Sequence, residues 1–219
     1  MIRLHHVPFS RSFRVLWLLQ EMGLDFDVAE YRIRDGSLRS AAFTKVSPTG
    51  RVPGIEIDGI SMFESGAIVQ YLCETRPEHG LAPTPGAPER PRFLELIGFA
   101  ETMAALVEQL NLNHVFLRDP AQASPVVIKL NTARLTATVK VMEQMLGDQD
   151  YLLPSGFSAA DAMMGFNVFS LPYYVHLEPF PRLLAYKQRL EERPAYRAAR
   201  ARDGEQDFYD KPFYPVPEA

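Results

Sequence analysis

Cysteine is almost absent from this chain: 219 residues hold one, Cys73, and no Cys-x-x-Cys pair occurs. An internal disulfide and a dithiol redox site are both excluded, so any thiol chemistry must borrow its sulfur from another molecule. Long apolar runs are missing as well. Nothing approaches the ~18 residues of a membrane span, and the opening MIRLHHVPFSRS lacks the uncharged core of a signal peptide, so no membrane partner and a cytoplasmic location are expected. A basic excess is also lacking. The net charge is −4, and the first 76 residues carry nine basic and nine acidic side chains, so the whole imbalance lies beyond them. No basic face for nucleic acid is implied. The five histidines are scattered or, as His5 and His6, adjacent on one strand and so directed to opposite faces. No metal-ligand spacing, phosphate loop or repeat occurs, and no metal is expected.

Apolar residues are plentiful at 47%, enough for a substantial core. Proline is unevenly spread: residues 76–91, RPEHGLAPTPGAPERP, hold five of the 18. That composition reads as a linker over 77–91, dividing a first domain, 1–76, from a second, 92–219. In the first domain the patterning predicts a strand over 2–7, a helix over 11–22 stopped by Gly23, a strand over 26–31 and a short helix over 38–45. Beyond the linker lie helical patterns over 92–118, 125–146, 159–173 and 180–191, a shorter one over 195–202, and an irregular aromatic tail from 203. Ser158 and Asp161 have capping-box spacing, which assigns them to folding and not to chemistry.

The central stretch, 47–72, is the most informative. Ser47-Pro48-Thr49-Gly50 is a loop signal, Val52-Pro53 precedes a strand, and Asp58-Gly59 between Ile57 and Ile60 marks a two-residue hairpin. Glu64-Ser65 then opens a helix, which places unpaired backbone N–H groups around Ser65 as a ready anion site.

In this order Gly50-Arg51-Val52-Pro53 and Glu64-Ser65 resemble the glutathione-binding half of the glutathione S-transferase family. The phrase SRSxRVLWLL after the first strand is similar to bacterial serine-type members, theta-like or beta-like. The resemblance covers nearly the whole chain and implies an α/β thioredoxin-like N-terminal domain followed by an all-α helical-bundle C-terminal domain. It departs from the family at Ser47, where an Asn is usual, and in the mixed Ser/Arg loop.

Carried over residue by residue, the resemblance implies glutathione as co-substrate. Val52 and Pro53 would meet its cysteinyl part, Arg51 its glycine carboxylate, Ser65 the γ-glutamyl carboxylate and Glu64 the γ-glutamyl amine, with Arg39 and Lys45 as weaker carboxylate candidates. Ser10 is the leading partner for the sulfur and Ser12 its rival; read alone, either is a plain helix N-cap. Met103, Val107, Leu110, Asn111 and His114 share a helix face that, with Tyr173 or Tyr174, is a candidate wall for a small apolar electrophile; equally, such a stripe is ordinary core. Cys73 is expected in the core. The implied activity is a detoxifying transfer of the glutathione thiolate by a homodimer. The competing readings are glutathione-dependent peroxide or disulfide reduction, and a non-catalytic binding protein of the same fold.

Overall fold

A computed structural model describes residues 1–206 and 208–217. Four short strands, β1 (Arg3–His6), β2 (Asp27–Glu30), β3 (Gly54–Ile57) and β4 (Ile60–Phe63), form one sheet in the order β2-β1-β3-β4. The β1–β2 pair is parallel and the other two are antiparallel. A parallel pair needs a crossover, which is α1 (Phe13–Glu21); the antiparallel β3–β4 pair needs only the Asp58-Gly59 turn, where both residues take positive φ. Helices α2 (Ala41–Val46) and α3 (Ser65–Thr75) complete a thioredoxin-like domain.

The second domain is all helical: α4 (Arg90–Asn111), α5 (Pro125–Leu146), α6 (Ala159–Ser170), α7 (Pro181–Glu192) and α8 (Pro194–Asp203). The helix expected over 92–118 starts two residues earlier and ends sooner, because the chain passes from α4 into one wide π-type turn, Leu112–Phe116. The pattern over 159–173 likewise closes as a 3-10 turn, Leu171–Tyr173. Asp161 is fully buried and accepts from the Ser158 and Leu152 N–H groups and the Tyr186 hydroxyl, at 2.8, 3.0 and 2.8 Å. That many donors on one carboxylate explain the capping-box spacing as a structural device.

The domains share one core. Helix α1 carries seven consecutive buried residues, Phe13 to Leu19, because one side faces the sheet and the other faces α6 and α8. Trp17 lies against Gly165 of α6, where a Cβ would stand 2.4 Å from the indole. An alanine there would overpack the seam at a cost of about 1–3 kcal/mol. This rigid contact fixes the cleft between the β1–α1 loop and α4.

Candidate active site

The β1–α1 loop lines that cleft. Phe9 takes positive φ, 57°, and its N–H reaches the buried Asp203 carboxylate at 3.3 Å. Its ring lies against Arg200 and Phe169, 4.2 and 5.2 Å away. So held, the turn presents Ser10, half-buried, to the cleft, while Ser12 is completely buried behind it. The two hydroxyl oxygens are 2.7 Å apart, and Ser10 Oγ is also 2.8 Å from the Val7 carbonyl. Ser12, the expected rival, does not face the cleft: its oxygen accepts the Val7 N–H at 3.2 Å and meets His6 Nδ1 at 2.8 Å. Neither hydroxyl caps α1.

Across the cleft, Ser47 Oγ donates to the Arg51 carbonyl at 2.7 Å, and the Gly50 N–H reaches the Ser47 carbonyl at 2.9 Å. The serine that departs from the family pattern thus closes the loop itself. The Val52–Pro53 bond is cis, and the β3–β4 ladder begins only at Gly54, so the Val52 main chain lies outside the sheet. Thr49, Arg51, Val52, Pro53, Glu64, Ser65 and Arg11 line one recess. Glu64 sits at its rim with a positive φ of 73°, a backbone position that costs a non-glycine residue of order 1–3 kcal/mol.

Ser65 stands beside the N-cap of α3, as expected, with its hydroxyl already engaged. It is the first residue of α3, and its hydroxyl is buried, accepting from Arg14 Nη1 at 2.9 Å and donating to Glu101 Oε1 at 2.8 Å. Its backbone N–H, not its hydroxyl, is left for an anion. Arg14 is wholly buried and also donates to Asn167 Oδ1 and the Ala100 carbonyl. Burial pulls its guanidinium down from the usual value, against the opposing pull of Glu101. Burial would raise Glu101, but Arg14, the Ser65 hydroxyl and Arg11 together hold it below the ordinary carboxylate range.

A cavity of about 310 Å³ adjoins Ser10 and Val52, walled by Phe9, Val107, Asn111, Phe116, Phe166 and Phe208 among others. Of the expected wall, Val107 and Asn111 are present. Met103 and Leu110 are instead fully buried core, because the cleft-facing stripe of α4 runs through Ala104, Val107, Glu108 and Asn111, rotated by about one residue from the apolar stripe. His114, displaced by the π-type turn, packs on Tyr174 and Tyr214. Tyr173 stacks on Tyr209 at 3.9 Å and Tyr174 is core. Arg39 lines a neighbouring open groove with Arg34 and Arg118, whereas Lys45 is exposed in α2 and lines neither recess.

Sequence reasoning missed Glu101 and Glu108. They are seven residues apart and so share one face of α4: Glu101 meets Arg14 at 2.6 Å, and Glu108 meets Arg11 at 2.9 Å and Arg51 at 3.4 Å. The seven-residue spacing was the available signal. It also missed Phe116 and Phe208, which meet across the cavity mouth at 5.5 Å and depend on the path of the tail. No cluster of metal-ligating side chains occurs among the described residues, and no helix there is long and apolar enough to cross a membrane.

Several known proteins are similar to this chain. Residues 1–74 match the family described as "Glutathione S-transferase, N-terminal domain". "Glutathione S-transferase 3" of Schizosaccharomyces pombe is 26% identical over 91% of this chain and 86% of its own length. "Disulfide-bond oxidoreductase YfcG" of Escherichia coli is 26% identical over 89% of this chain and 92% of its own. Among solved structures, a sphingomonad glutathione S-transferase complexed with glutathione superposes with a TM-score of 0.79 at 25% identity, covering 92% of this chain and 98% of that one.

Proposed function

We propose that this chain is a glutathione S-transferase, as its matches to that family suggest, that it binds glutathione along Val52 and the start of α3, and that it adds the thiolate, stabilised by Ser10, to a small apolar electrophile. One observation carries the reading: Ser10 and Val52 line the same cavity as a wall of phenylalanines. An extended cysteinyl backbone pairing with Val52 in the manner of an added strand would bring its sulfur toward Ser10. The glycine carboxylate falls to Arg51, the γ-glutamyl carboxylate to the N–H groups of α3, and the γ-glutamyl amine to Glu64.

The chemistry needs a thiolate. A free thiol ionises near about 8.5 and is mostly protonated at pH 7, and lowering that value by about two units takes roughly 2.7 kcal/mol of preference for the anion. A hydroxyl donor supplies about 1.5–3 kcal/mol to a charged acceptor. Ser10 donates a hydrogen bond and is not the attacking atom.

Calorimetry at near-neutral pH should give one glutathione per chain. Ser65→Ala should weaken it through the loosened Arg14–Glu101 network that seats the start of α3. No heat at millimolar glutathione would refute the reading. Disulfide reduction is the second reading, favoured by the likeness to the oxidoreductase from Escherichia coli. It would use two glutathione thiols, since Cys73 is buried and burial pushes its thiol up to about 12. A substrate panel of electrophiles and mixed disulfides separates the two.

A further inference from the structure

Behind Ser10 runs a buried polar chain that ends in an acid. Ser10 Oγ is 2.7 Å from Ser12 Oγ, Ser12 Oγ is 2.8 Å from His6 Nδ1, and His6 Nε2 is 3.0 Å from the Asp203 carbonyl and 3.3 Å from its carboxylate. Ser12, His6 and Asp203 are all completely buried. We infer that this chain is a proton relay, in which His6, oriented by Asp203, takes up the proton of the glutathione thiol through the Ser12 and Ser10 hydroxyls; the inference rests on the proposed placement of the sulfur at Ser10.

Hydrogen-bond roles decide the direction. Both atoms facing His6 Nε2 are acceptors, so that nitrogen carries a hydrogen, and in the neutral ring Nδ1 is then an acceptor. Ser12 must donate to it. Ser12 accepts from the Val7 N–H and has a lone pair left for the Ser10 hydroxyl, while Ser10, a residue of the cavity wall, accepts the Ser12 N–H at 3.3 Å and keeps a second lone pair. The Ser10 hydrogen has two acceptors in reach, the Ser12 oxygen at 2.7 Å and the Val7 carbonyl at 2.8 Å; when it turns to Ser12, both hydroxyls point toward His6.

When a thiol meets Ser10, its S–H bond breaks and its proton joins Ser10 Oγ. The former Ser10 hydrogen passes to Ser12 Oγ and the former Ser12 hydrogen to His6 Nδ1. The electron pair stays on sulfur. Both hydroxyls have now reversed, so Ser10 donates to the thiolate, Ser12 donates to Ser10, and imidazolium donates on both sides, to Ser12 and to Asp203. No atom is gained or lost.

The acids nearest the ring are themselves paired. Asp203 is ion-paired with Arg200 of its own helix, and across Gly204 lies Glu30 of β2, paired with Arg32. At the N-cap of α1 the Ser12 hydroxyl meets the ring, and His5 points to the other face, toward Tyr31 and Glu56. His6 and Asp203 are positioning residues, since neither touches the sulfur.

The test counts protons. Between about pH 7 and 8 an ordinary imidazole is mostly neutral and an ordinary thiol mostly protonated. Calorimetry in buffers of different ionisation enthalpy measures protons released on glutathione binding. Ultraviolet absorbance measures thiolate formed, and S-methylglutathione, which has no thiol proton, gives the background. The relay predicts close to zero protons released per thiolate in the unaltered protein. In Ser12→Ala, which removes one buried oxygen and cuts the chain, about one proton should leave per thiolate and the thiolate should fall about tenfold at pH 7. His6→Gln should match it if it folds. One proton released per thiolate by the unaltered protein, or Ser12→Ala leaving count and absorbance unchanged, overturns the relay alone. Glutathione binding without any thiolate overturns the Ser10 placement, and the relay with it.

Discussion

Arg51 Nη1 lies 3.4 Å from Glu108 Oε1, a contact that bridges the mouth of the cleft from the sheet domain to α4. The arginine proposed for the glycine carboxylate of glutathione therefore already has an acid beside it. Arg51 is two-thirds exposed, so the pair is worth no more than about 1 kcal/mol, or about fivefold in an equilibrium constant. Glu108→Gln should free the guanidinium and tighten glutathione by up to about that factor, and the difference should shrink in high salt. Calorimetry in low and high salt checks it; weaker binding by the variant would assign Glu108 an attractive role.

The Glu101 carboxylate sets a pH dependence of stability. Its folded value is held below the ordinary 4.5, so its contribution is fully present above that value and is lost as pH falls through the lower, folded one. Denaturant midpoints should drop with acidification below 4.5, and Glu101→Gln should lose stability at neutral pH and show a flatter acid limb. Parallel profiles for the two proteins would remove Glu101 from the account.

Cys73 should be chemically silent. It is 6% exposed and its thiol is raised to about 12 by burial, beyond the opposing pull of Arg90. Alkylating reagents should modify the unfolded chain and spare the folded one, and Cys73→Ala should keep full activity at a stability cost of about 1 kcal/mol. Mass spectrometry of the labelled protein measures the first. Lost activity in the variant would return the thiol to the mechanism.

A two-fold homodimer is expected through α3 and the first half of α4, where Leu94 is 44% exposed. Light scattering at micromolar concentration should give twice the 24.8 kDa of one chain. A single-chain mass would contradict it.

The parts of this fold that were legible in the sequence are those written in local rules. Asp58-Gly59 dictates a hairpin, Ser158 and Asp161 dictate a helix start, and Val52-Pro53 with Glu64-Ser65 sits where the two sides of the recess meet. What was illegible depends on distant packing. Met103 and His114 share a predicted face, but the packing of α4 against α6 and the π-type turn send one into the core and the other under the tail. His6 looked like half of an inert pair because its acid lies 197 residues away. Ser12 could not be told from Ser10 until the loop showed which one the left-handed Phe9 turns outward.

Ultraviolet titration of bound glutathione in the unaltered protein and in Ser10→Ala tests the central claim, that the Ser10 hydroxyl stabilises the sulfur anion. A hydrogen bond to a charge is worth about 1.5–3 kcal/mol. The variant should therefore raise the apparent thiol pKa by about one to two units and lower turnover at pH 7 on the order of tenfold to a hundredfold, with affinity little changed because the charged ends are held elsewhere. An unshifted titration in Ser10→Ala, with glutathione still bound, would contradict it.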